Sequence, residues 1–86
     1  MADDERVWLV ERSYSDKGLV TIVYATTDGE RHLRKQLSSN MLARTDVTAA
    51  EDVDPDRLTP TDPDDRERYA AEASRMAETH DPEDTV

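Results

Sequence analysis

The segment Leu19-Val20-Thr21-Ile22-Val23-Tyr24-Ala25-Thr26 decides the fold. β-Branched and aromatic residues dominate it, and both alternating sets are substantially apolar: Leu19, Thr21, Val23 and Ala25 on one side, Val20, Ile22 and Tyr24 on the other. Successive side chains of a strand point to opposite faces, so a strand of this kind is central and wants cover on both. Upstream lies a second run of the same character, Arg6-Val7-Trp8-Leu9-Val10-Glu11-Arg12-Ser13-Tyr14, separated from the first by Ser15-Asp16-Lys17-Gly18. Asp16 can bond its own following backbone and Gly18 supplies positive φ, so the two runs form an antiparallel hairpin. Downstream, Asp28-Gly29 turns the chain into a third strand, Glu30-Arg31-His32-Leu33-Arg34-Lys35-Gln36-Leu37, completing a three-stranded meander over 6–37. Leu33, Leu37 and Met41 also obey helical i, i+4 spacing with Asp28 as a possible N-cap. The Asp-Gly pair directly after a strong strand favours the strand.

Residues 38–61 read as loops with short helical turns. Thr48-Ala49-Ala50-Glu51 matches a capping box, although Pro55 soon stops anything begun there. Asp54-Pro55-Asp56 and Thr59-Pro60-Thr61-Asp62-Pro63 are extended connections or turns. The clearest helix then spans 62–80, with Asp62 as N-cap, Pro63 at the first helical position, and Asp64 and Asp65 where negative charge meets the positive end of the helix dipole. Tyr69, Ala73, Met76, Ala77 and His80 form its apolar stripe, and Asp62 with Arg66 and Asp64 with Arg68 are i, i+4 ion pairs. Pro82 limits it, leaving a tail, 81–86, which like residues 1–5 has the composition of a fraying end. The expected fold class is α+β: one small domain over 1–86, a three-stranded antiparallel β-meander with a C-terminal α-helix packed on one face.

Charge divides the chain sharply. Residues 1–44 hold 7 Lys+Arg against 7 Asp+Glu, whereas residues 45–86 hold 4 against 14, so the whole net charge of -10 belongs to the second half. The acids favour Asp (13 Asp, 8 Glu) and the bases favour Arg (9 Arg, 2 Lys). Short carboxylates hold hydrated cations near the surface, and at roughly 1 M salt a Debye length of about 3 Å screens the self-repulsion. That composition, together with the Asp-Gly meander and the segment Arg66-Glu67-Arg68-Tyr69-Ala70-Ala71-Glu72-Ala73-Ser74-Arg75-Met76, resembles small acidic haloarchaeal proteins of an uncharacterised family. The resemblance implies adaptation to high salt and transfers no functional motif.

With no Cys, no Phe and one Ile, the core is thin and no disulfide can staple it. One Ala-rich helix covers one face of the sheet. The second face must therefore meet either the 38–61 segment, through Met41, Leu42, Val47, Val53 and Leu58, or another copy of the chain, and the small core favours a homodimer through the sheet face or the edge strand 6–14. The acidic N-terminus is unlike a signal peptide, and no stretch approaches the ~18 apolar residues of a membrane span, so the expected location is cytoplasmic.

Candidate chemistry is sparse. The basic run Arg31, His32, Arg34 and Lys35 could bind single-stranded RNA or DNA on the sheet beside aromatic residues, but a charge of -10 repels phosphate. His32 and His80 do not by themselves make a zinc site, even with Asp81 nearby. Asp54, Asp56, Asp62, Asp64 and Asp65 lack the glycine and terminal glutamate of a calcium loop. No nucleophile, base and acid constellation and no phosphate-cradling glycine loop is present, and Glu11 is the one acid inside an apolar strand, where a cross-strand partner is its commoner role. The expected function is a non-catalytic interaction or regulatory module without metal or cofactor. Its contact residues would be Trp8, Arg12, Tyr14 and Tyr24.

Overall fold

A computed structural model describes residues 3–15, 17–44 and 46–86. The expected hairpin is present: β1 (Glu5–Tyr14) pairs antiparallel with β2 (Leu19–Ala25), and β2 pairs antiparallel with β3 (Arg31–Ser38). Gly18 has φ +75 and closes the first turn, its amide donating to the Ser15 carbonyl. Ser15 Oγ accepts from the amides of Lys17 and Leu19, a part expected of Asp16, which lies outside the described residues. At the second turn Gly29 has φ +72, and Asp28 Oδ1 accepts from the Glu30 amide and the Thr26 hydroxyl. The third segment is thus a strand and not a helix.

The sheet is larger than the meander. A short helix α1 (Ser39–Arg44) leads to β4 (Ala50–Val53), which pairs antiparallel with the start of β1, and β5 (Thr59–Pro60) pairs with the start of β3. The order β4-β1-β2-β3-β5 makes a five-stranded antiparallel sheet where three strands were expected. The capping-box reading of 48–51 is therefore corrected: the Thr48 hydroxyl donates to the Ala50 carbonyl, and the Glu51 carboxylate reaches Lys35 on β3 instead of a helix amide. Backbone donors along β1 outweigh a local helical preference that Pro55 would cut short.

Helix α2 (Pro63–Thr79) follows the expected bounds and crosses one face of the sheet. Asp62 occupies the N-cap position but makes no side-chain cap bond, and Arg66 and Arg68 bond the Thr61 carbonyl and Glu11 instead of forming the expected pairs with Asp62 and Asp64. Tyr69, Ala73 and Met76 meet Trp8, Val10, Val23 and Ala25, while Ala77 of the expected stripe is exposed. On the opposite face Val7, Val20, Ile22, Tyr24, Leu33 and Val53 join Val47, with Leu58 packed against them. Each fully buried aliphatic or aromatic side chain here is worth about 1.5–3 kcal/mol relative to exposure. Loop residues thus cover the second face: Val47 and Leu58 do so as the wrapping reading has it, Val53 does so from an edge strand, Met41 is exposed, and the Leu42 side chain lies outside the described residues.

The tail does not fray. It runs antiparallel to 47–50, with the amides of Ala49, Ala50 and Val86 donating to the carbonyls of Asp84, Pro82 and Val47 at 2.8, 3.2 and 2.8 Å. Val86 packs against both clusters, so the chain end closes the seam between the two layers. Among the described residues, no helix is long and apolar enough to cross a membrane.

Candidate functional site

Neighbour strands leave part of the sheet unpaired. β4 covers β1 over Glu5–Trp8, and the Leu9 amide donates to the Ala49 carbonyl at 2.9 Å. Beyond that point β1 has β2 on one side and, among the described residues, no strand on the other. The change coincides with a β-bulge: register along β2 shifts between Leu9 and Glu11, so Val10 and Glu11 together oppose Val23. A bulge bends its strand and increases the local twist. Here it falls just past the last residue paired with β4, and a gap lies between this edge and the end of α2.

That gap is a groove of about 300 Å³, walled by Leu9, Val10, Met76 and Val86 and rimmed by Arg12 and His80. Arg12 donates from its guanidinium to the Val86 carbonyl at 2.8 Å, which ties the tail to the rim. Tyr14 stands at the far end of the open edge with 67% of its surface exposed, more than Met41 or Leu19, the other exposed large hydrophobic side chains among the described residues.

The four residues expected to make contacts therefore separate into two kinds. Arg12 and Tyr14 lie together on the open edge. Trp8 and Tyr24 are 7% and 2% exposed and belong to the core: Trp8 is packed against Ala73 and Ala50, and Tyr24 is held by a 2.9 Å bond from its hydroxyl to the Thr48 carbonyl. Burial, with the Glu51 charge in second place, pushes the Tyr24 hydroxyl up to about 12.

The basic run is divided by strand alternation. Arg31 and Lys35 share the face of Tyr24 and are paired with Glu5 and Glu51, with the Lys35 ammonium 5.6 Å from the centre of the Tyr24 ring. His32 and Arg34 face the side of α2. There they line a second cleft of about 350 Å³ with Thr61, Asp65 and Tyr69, in which the His32 ring meets Tyr69 edge-on at 5.9 Å and its Nδ1 lies 3.0 Å from Thr61 Oγ1. Glu11 joins this cleft as the ion-pair partner of Arg68 at 2.9 Å, the structural role expected of it, although the partner comes from the helix and not from a neighbouring strand. Burial and then the Glu11 and Asp65 charges hold the Tyr69 hydroxyl above its ordinary range, partly offset by Arg68 and Arg34. Among the described residues, no group of three or more His, Asp or Glu side chains is placed to hold a metal ion, His80 and Asp81 included.

The sequence reading missed the groove, because two of its walls, Met76 and Val86, come from the other end of the chain. The surplus residue in β1 was the available signal: residues 6–14 do not keep one strict alternation through Leu9-Val10, as a strand with a bulge would not.

A family model matches residues 1–86, and the chain belongs to that family, described as a family of unknown function (DUF7967). No curated protein and no solved structure matches the chain.

Proposed function

Membership of a family of unknown function hands the chain no activity, and we propose that its role is contact: a small, non-catalytic interaction or regulatory module, adapted to a salt-rich cytoplasm, that acts as a homodimer. One observation carries this reading, the unpaired stretch of β1 over 10–14 ending in an exposed Tyr14 beside an apolar groove. Exposed strand edges are templates for further strands, and apolar hollows beside them receive side chains. A net charge of -10 opposes association of two copies in dilute buffer and is screened in molar salt, so salt adaptation and dimerisation support each other.

The alternative, single-stranded RNA or DNA held on the sheet by Arg31, His32, Arg34 and Lys35, is weakened by the division of those cations between two faces and by the carboxylates that engage two of them. Size-exclusion chromatography with light scattering in about 2 M KCl tests both readings. The expected species has twice the 9.8 kDa chain mass and ignores added total RNA. A mass of one chain defeats the dimer, and a shift with RNA promotes the nucleic-acid reading.

A further inference from the structure

The pairing of β1 dictates which backbone groups its open edge presents. In an antiparallel ladder, residues that exchange hydrogen bonds alternate with residues whose N–H and C=O point away. The Ser15 amide donates to the Leu19 carbonyl at 2.8 Å, so Ser13 and Glu11, two and four residues back, also address β2, at Thr21 and Val23. Arg12 and Tyr14 then direct their N–H and C=O outward. Leu9, the preceding outward residue, is taken by Ala49, whereas Arg12 and Tyr14 find no backbone partner on that side among the described residues.

We propose that a second copy of this chain fills the edge: two β1 strands pair antiparallel about a two-fold axis at Ser13, residues 12–14 of one against 14–12 of the other, and Tyr14 of each enters the groove of the other. This rests on the homodimer reading above and names the surface it uses.

Charge and the groove together select the register. An axis at Glu11 or Arg12 would set like charges directly opposite one another, which is destabilising. An axis at Tyr14 would set the two Tyr14 side chains opposite one another and keep both out of reach of Leu9 and the groove. With the axis at Ser13, Arg12 faces the partner's Tyr14 and Tyr14 faces the partner's Arg12, each as a hydrogen-bonded pair that uses all the outward groups. Arg12 is also positioned to lie against the ring of the partner's Tyr14. The bulge and the two charges are devices that blunt indiscriminate edge pairing, and among the registers they leave unopposed this one brings Tyr14 to the groove.

The groove supplies the anchor. Because of the bulge, Leu9 and Arg12 are successive side chains on one face, so the partner's Tyr14, opposite Arg12, is diagonal to Leu9 and within reach of an aromatic side chain. Leu9 and Val86 wall the hollow on that side. Among the described residues β3 also has no strand partner beyond His32 on its outer side, but Arg34, Lys35 and Gln36 make that edge polar and the hollow beside Leu37 holds only about 70 Å³.

Ser13→Cys provides the test. The two Ser13 positions would form a non-hydrogen-bonded pair with Cα atoms about 4.5 Å apart, within disulfide reach, and the native chain has no Cys to confuse the product. In about 2 M KCl under mild oxidation the variant should convert largely to a covalent dimer, while Thr27→Cys, exposed at the opposite end of β2, should not. Tyr14→Ala, at a site too exposed to affect folding, should weaken the non-covalent dimer about tenfold or more. A dimeric mass with Ser13→Cys cross-linking no faster than Thr27→Cys overturns the edge pairing and leaves the homodimer reading standing. A single-chain mass for the native protein overturns both, and an unchanged dimer in Tyr14→Ala overturns the anchor.

Discussion

Gly29 sits where the second turn passes beneath α2, and two separate constraints meet there. Its φ is +72, and a Cβ added to it would lie 2.1 Å from the Arg66 carbonyl oxygen and 2.7 Å from the Ala70 amide nitrogen. Gly18 shares the positive φ, but its added Cβ would meet only Ser39 Oγ at 3.4 Å. Left-handed backbone alone costs Ala about 1–2 kcal/mol, and pushing a helix away adds about 1–3 more. Denaturant titration should show Gly18→Ala losing about 1 kcal/mol and Gly29→Ala about 3 kcal/mol, because only the second must displace α2. Next to it, the Thr26 hydroxyl and then the Glu30 amide hold Asp28 below the usual carboxylate range. A carboxyl depressed by folding contributes stability that is complete above its unfolded pKa and lost as the pH falls through the folded one. Asp28→Asn should therefore lower the denaturation midpoint near neutral pH and flatten its decline below about pH 4, read by acid titration of both proteins in one salt.

Among the elements, the helix and the central strands were legible in the sequence and the edge strands were not. Pro63 with Asp64 and Asp65 marks the start of α2 by local chemistry, and the Gly18 and Gly29 turns set the meander by backbone conformation that few residues adopt. β4 has no such local signature: Ala50-Glu51-Asp52-Val53 is a poor strand former and becomes one because β1 offers it a ladder, with Arg6 and Asp52 paired across the join at 2.9 Å. The same division holds for the candidate site. Tyr14 and Arg12 could be placed on an edge from the order of the meander, in which 6–14 is an outer strand, whereas Trp8 and Tyr24 could not be separated from them without knowing that α2 and the 47–58 segment take opposite faces. Small residues on α2 set how closely it approaches, Ala73 being wholly buried against the Trp8 cluster. Ala73→Leu should cost about 1–3 kcal/mol by overpacking and shift Trp8 fluorescence to the red as the helix lifts, measured by denaturation followed at the one Trp.

For the molecule as a whole, the two layers of apolar contact are small, and the acids of the second half are spread over the outside of α2 and the connections that lead to it. Self-repulsion should dominate in dilute buffer, so the melting midpoint should rise from dilute buffer to about 2 M KCl; an equal or lower midpoint would contradict the adaptation to salt. The bulge in β1 has a further consequence for how such a chain can change. A ladder of period two normally punishes the loss of one residue by turning everything beyond it inside out. Val10 is surplus to that count, since Trp8 already pairs with Ala25 and Tyr14 with Val20 on either side of it. Deleting it would leave both flanks in register, straighten the strand and remove one wall of the groove. The strand thus carries one residue of slack, and a single lost codon could erase the hollow while the sheet that frames it stays intact.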